Sequence, residues 1–212
     1  YFSSEPKLYS FEEEQLSDLV LYSPHYAFAK DYMALNKGCE AMEIPYIWDP
    51  KFIQEEALAL GINPEYKPAA RPNIAVVEPC LNISKTNFIP LLIILHLLKE
   101  APQTFDEAYI FSNTFRKNCE QPSAHLKEKT ILNKHPERVY FDPRQKLASI
   151  LARDNPIILS HQFYNELNYV YLEALHYNFP LVHNSPPFKE TGFYYNEFNI
   201  IDTGFSFALK RI

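Results

Sequence analysis

Short apolar runs of four or five residues recur along this chain, and between them apolar positions return every three or four residues. The first pattern is that of a strand buried on both faces, the second that of an amphipathic helix. Residues 18–22 (DLVLY) read as a strand, 25–36 as a helix, 43–47 (EIPYI) as a short strand, and 49–60 as a helix capped by Asp49-Pro50. The polar, proline-rich stretch 63–72 (NPEYKPAARP) reads as a linker or domain boundary. A second series follows it: strand 74–77, helix 85–99, strand 107–111, an irregular polar region over 116–135, and strand 139–141. Helix 143–153, strand 157–160, helix 169–177, strand 179–182 and a final helix from about Thr203 complete the chain. Short apolar strands alternating with helices predict an α/β fold: a Rossmann-like parallel sheet with helices on both faces. Residues 1–68 then close one domain, and residues 69–212 form a complete second one.

Composition narrows the class. The 212 residues are 47% hydrophobic and 15% aromatic, enough for a substantial core. A formal net charge of −6 argues against a general nucleic-acid surface, which would be basic, but not against a local cationic pocket for one phosphate. Cys39, Cys80 and Cys119 are widely spaced and odd in number, which is neither a disulfide framework nor a zinc pattern. They fit a reducing, cytoplasmic setting. The longest apolar run, 88–98, is too short for a bilayer and is interrupted by Pro90 and His96, so no membrane span is expected. Four glycines against seventeen prolines leave no Gly-rich phosphate loop, neither the dinucleotide fingerprint nor the Walker loop. No two aspartates stand two residues apart, and no His/Glu cluster has zinc spacing, so no metal is expected.

The chemistry concentrates at strand ends. Over residues 157–192, one apolar strand ends in Ser160-His161 and the next in His183-Asn184-Ser185, with Glu173 on the helix between them. In an open α/β sheet, ligands bind outside the carboxyl ends of the strands. Glu173 is placed to accept hydrogen bonds from a ribose diol. Asn184, Ser185 and Lys189 offer donors for phosphate or sugar oxygens, and His161 and His183 stand at neighbouring strand ends. A lone histidine at a strand end is more often a satisfied structural residue than a catalyst, but two at adjacent strand ends favour a functional role. After the strand at 74–77, Ser84, Lys85 and Thr86 open a helix whose free N–H groups favour an anion, so they form a diphosphate site or else an ordinary capped helix with a solvated lysine. Asn113, in the polar turn 111–115, contacts a ligand or caps a helix. Arg144, in the turn that follows strand 139–141, borders a nucleobase or simply joins strand to helix.

With these residues in place, the order of parts resembles the C-terminal domain of a GT-B-fold glycosyltransferase. More narrowly, it is similar to uncharacterised glycosyltransferase-like proteins of bacteria and some large viruses. The phrases that carry the likeness are YSPHY, IPYIWDPKFI, RPNIAVVEPCLNISKT and SHQFYNELNYVYLEALHYNFPLVHNSPPFKETGFYY, and the resemblance as a whole covers about residues 20–208. The resemblance implies transfer of a sugar from a nucleotide-sugar donor such as a UDP- or GDP-sugar to an acceptor (glycan, protein or lipid-linked), with no metal and no other cofactor, in a bacterial cell or virus-infected host. It assigns the donor diphosphate to Lys85 and the donor ribose to Glu173. It also makes residues 1–68 the end of an N-terminal, acceptor-side domain. The chain departs from the retaining pattern at three places: Glu78-Pro79-Cys80 where an arginine stands, Asn165 in place of a first glutamate, and Asn168 in place of a glycine. These departures keep two alternatives open, a catalytically silent GT-B binding or assembly module and a nucleotide-sugar epimerase.

Overall fold

The computed structural model describes residues 17–78, 86–112, 137–163 and 165–199. The irregular region expected at 116–135 and the final helix expected from Thr203 lie outside the described residues. By packing, the chain divides into two compact units, Tyr1–Ile47 and Trp48–Ile212.

In the first unit, β1 (Leu19–Tyr22) leads through a 3-10 turn (Pro24–Ala29) and α1 (Lys30–Lys37) to β2 (Glu40–Glu43). The two strands pair in parallel, Leu19 opposite Glu40 and Tyr22 opposite Glu43. The strand expected at 43–47 therefore lies at 40–43. The last bond of the pair is the Ile44 N–H donating to the Tyr22 carbonyl at 2.9 Å.

The second unit begins with α2 (Lys51–Leu60), whose first turn is held by the Lys51 N–H donating to Asp49 Oδ1 at 2.9 Å. There follow β3 (Asn73–Val76), α3 (Phe88–Glu100), β4 (Ala108–Phe111), β5 (Val139–Asp142), α4 (Leu147–Asp154), β6 (Pro156–Leu159), α5 (Tyr169–His176), β7 (Leu181–His183) and β8 (Phe193–Tyr194). The strands form one sheet in the order β5-β4-β3-β6-β7-β8, parallel throughout. This is the doubly wound, Rossmann-like α/β arrangement, with the chain reversing direction of travel across the sheet between β3 and β6.

Alternation along the strands feeds two cores. Ile74, Val76, Ile157 and Leu159 face α3, whose Leu91, Ile94, Leu97 and Leu98 are buried against them. Ala75, Phe111, Ile158 and Leu181 face the other way, onto α4 and α5. Helix α2 joins this second layer through Ile53 and Ala57, which bury beside Leu147, Ile150 and Leu151. The packing boundary accordingly falls between Ile47 and Trp48, upstream of the expected division at 68/69. The proline-rich stretch only links α2 to the sheet that α2 already covers.

Strand β8 was not foreseen, because two residues carry no readable periodicity. It depends on Gly192, whose φ of +62° suits glycine, and where an added Cβ would lie 2.6 Å from the Leu181 carbonyl oxygen. Gly192→Ala is expected to destabilise the protein by about 2 kcal/mol, combining left-handed strain with a backbone clash. Chemical denaturation reads this as a lower midpoint, and an unchanged midpoint would show that β8 contributes nothing to stability.

Candidate functional site

The reversal between β3 and β6 leaves a crevice at their carboxyl ends, the place where such sheets bind ligands. Here it is a cleft of about 590 Å³. One wall is α2, through Phe52, Ile53 and Glu56, and the floor is Val77 and Glu78 just past β3. The turn Arg144–Leu147 before α4 makes the second wall, and Asn168, Tyr169, Val170 and Glu173 at the start of α5 make the third. The structure thus brings Arg144 and Glu173 together, with α4 and α5 both directing their N-terminal ends at the cleft.

Three carboxylates share this space, each held differently. Glu78 is 2% exposed, and its Oε1 accepts from Ser160 Oγ, from Gln162 Nε2 at 2.9 Å and from Asn168 Nδ2 at 3.4 Å. Ser160 has one proton, given to that carboxylate, so the Tyr171 hydroxyl 2.9 Å away donates to Ser160. Asn168 also caps α5 by accepting from the Val170 N–H at 3.2 Å. Glu56 Oε1 accepts from the Ala148 N–H at 3.2 Å, so a carboxylate of the chain itself holds the anion position at the start of α4. Glu173 is half-buried and has no hydrogen-bond or ion-pair partner among the described residues. Desolvation, and after it the charge of Glu56, raises its pKa above the ordinary glutamate value.

The remaining strand-end residues are committed to one another. The Tyr195 hydroxyl donates to the Ser160 carbonyl at 3.0 Å, so His161 Nδ1, 2.9 Å from that hydroxyl, must be the protonated nitrogen. His161 Nε2 is then a bare acceptor, buried with no partner among the described residues. Burial moves the His161 pKa down to about 4, which keeps the ring neutral. At His183 the order is reversed: the Ser185 N–H donates to Nδ1 at 3.1 Å, so Nε2 carries the proton and donates to the Thr191 carbonyl at 2.8 Å. Its pKa is lowered, again by burial. Asn184 clasps the Gln162 backbone, Oδ1 to N–H at 2.7 Å and Nδ2 to carbonyl at 2.8 Å. Ser185 Oγ donates to the Glu166 carbonyl at 2.6 Å. Through these bonds the four residues brace the loops after β6 and β7, and none of them lines this cleft. Lys189 is exposed and lies over the Tyr194 ring, 6.0 Å from its centre, also away from the cleft.

Thr86 Oγ1 accepts from the Phe88 N–H at 3.2 Å, in the turn that leads into α3. Ser84, Lys85 and Asn113 lie outside the described residues. Sequence reasoning missed Glu56, because α2 was assigned to the other domain, and it missed the acceptor role of Glu78, which in sequence is only an acidic residue after an apolar run. Among the described residues no helix is long and apolar enough to cross a membrane, and no three His, Cys, Asp or Glu side chains group as metal ligands. No curated protein matches the sequence. Residues 4–209 match the model of the family described as "Protein of unknown function (DUF2827)", and the chain belongs to that family.

Proposed function

We propose that this protein is a GT-B-type glycosyltransferase that moves a sugar from a nucleotide-sugar donor to an acceptor, and that the cleft at the sheet's reversal seats the donor's nucleoside. The observation that carries the reading is Glu173, a half-buried carboxylate in the cleft with no partner among the described residues and a like charge beside it. A desolvated charge without a partner costs stability, and such costs persist where a ligand offsets them. A ribose diol supplies two O–H donors of the right kind. Arg144 borders the base. Lys85, with the N-terminal end of α3, takes the diphosphate and stabilises its charge as it leaves, so that the reaction needs no metal. The acceptor is a glycan, protein or lipid-linked sugar, and the setting is cytoplasmic.

Glu173→Ala is expected to weaken binding of a nucleoside diphosphate by roughly 1–3 kcal/mol, the loss of hydrogen bonds to a charged group. The mutant should melt no lower than wild type, since a desolvated charge has been removed. The ionised form accepts from both hydroxyls of the diol, whereas protonation turns one of the two acceptor oxygens into a donor and removes the charge, and the Glu173 pKa is raised. Affinity should therefore fall on acidification at a higher pH than an ordinary glutamate would produce. Isothermal titration across pH measures both effects, and unchanged affinity in a folded Glu173→Ala protein removes the ribose role.

One observation favours a silent binding module instead. The buried Glu78 carboxylate follows β3, and Asn165 gives its amide to Gln162 Oε1 at 3.2 Å. Nucleotide binding with neither donor hydrolysis, transfer nor epimerisation would establish that module.

A further inference from the structure

Glu56 is anchored but not used up. Its Oε1 takes the Ala148 N–H, which fixes the side chain against the start of α4. A carboxylate accepts up to about four hydrogen bonds, and no second partner for Glu56 occurs among the described residues. It shares the cleft with Glu173, and its charge is felt there. Two aromatic rings border the same cleft and remain largely in solvent, Phe52 at 74% and Tyr169 at 54% exposure. Flat apolar surfaces beside a fixed acceptor match a planar heterocycle that stacks on the rings and presents N–H groups at its edge.

We propose that Glu56 is a specificity-determining residue that selects a nucleobase with adjacent N–H donors, guanine first. This rests on the nucleotide reading of the cleft given above. Guanine offers a carboxylate two parallel donors, the ring N1–H and the exocyclic amine. Uracil offers one N–H flanked by two carbonyl oxygens that repel a carboxylate. Adenine and cytosine each place a bare ring nitrogen beside their amine, which also repels it. Arg144, which lines the same cleft, supplies donors for the guanine carbonyl.

Isothermal titration of GDP, UDP, ADP and CDP into the wild type and Glu56→Gln tests the assignment. Glutamine keeps an amide oxygen for the Ala148 N–H but replaces the second acceptor with a donor. Relief of repulsion at Glu173 acts through the ribose on all four ligands alike and cancels in the ratio of affinities. The wild type should bind GDP about tenfold or more tighter than ADP, the discrimination typical of a good two-donor contact, and the substitution should remove most of that ratio. ADP or CDP binding the wild type as tightly as GDP overturns the proposal, whether or not the mutant folds. So does an identical ranking in both proteins, which would leave Glu56 only a helix cap. Failure of all four nucleotides to bind the wild type overturns the nucleotide reading itself.

Discussion

Glu78→Ala is expected to destabilise the second unit by about 3 kcal/mol, the larger end of the range for stranding buried donors. The carboxylate ties together three segments that meet only in the folded chain: the end of β3, the turn after β6, and the cap of α5. Alanine leaves the buried Gln162 amide without its main acceptor, and frees the half-buried Asn168 amide at the wall of the cleft. Ser160 retains Tyr171, and Gln162 Nε2 retains Ser160 Oγ at 3.3 Å, so the loss is that of a network partly re-formed rather than of three independent bonds. Urea denaturation should show a lower midpoint at constant slope. A loss below about 1 kcal/mol would mean that the network is replaced by water entering from the cleft.

The second large effect is pH-dependent. Burial holds the His161 pKa at about 4 against an ordinary 6.5, so between those values the unfolded chain binds a proton that the folded chain refuses. Stability contributed by the neutral ring is therefore complete above about pH 6.5 and is lost as pH falls toward 4, reaching about 3 kcal/mol there. Carboxylates titrate in the lower part of this window, and His183 shifts in the same direction. The measurement must for that reason be a difference between proteins. His161→Phe keeps an aromatic ring against Tyr195 and Phe198 and removes the titrating nitrogens. The free energy of unfolding of the wild type minus that of the mutant should be nearly flat above pH 6.5 and fall by about 3 kcal/mol between pH 6.5 and 4. A difference independent of pH would show that His161 titrates alike in the folded and unfolded chain.

Much of the fold is legible without coordinates. Both faces of the sheet are covered, so its strands are continuous apolar runs such as IAVV after Asn73 and IIL after Pro156, easily told from the helices between them. Glu173 was legible for a related reason: a polar residue in the helix after such a strand stands near the strand's carboxyl end. His161, His183, Asn184 and Ser185 were not. Whether a strand-end polar group faces a ligand or a neighbouring loop depends on Thr191, Tyr195 and the Glu166 carbonyl, and two of these are placed by the two-residue strand β8. Glu56 was hidden in another way. Nothing local in α2 tells that its Ile53 and Ala57 pack on α4, more than ninety residues later in the chain.

The sequence by itself determined the α/β class, the alternation of elements, and the presence of polar groups at the ends of two neighbouring strands, because burial periodicity is a local property. Only the tertiary structure decided the strand order, the division at Ile47 and Trp48, and which polar groups line the cleft. Those depend on partners distant in sequence, since a buried hydrogen-bonding group is satisfied by whichever group the packing brings to it. The segment from Ser160 to Ser185 therefore splits in two: Glu173 stands in the cleft, and the histidines and their neighbours hold the loops that shape it.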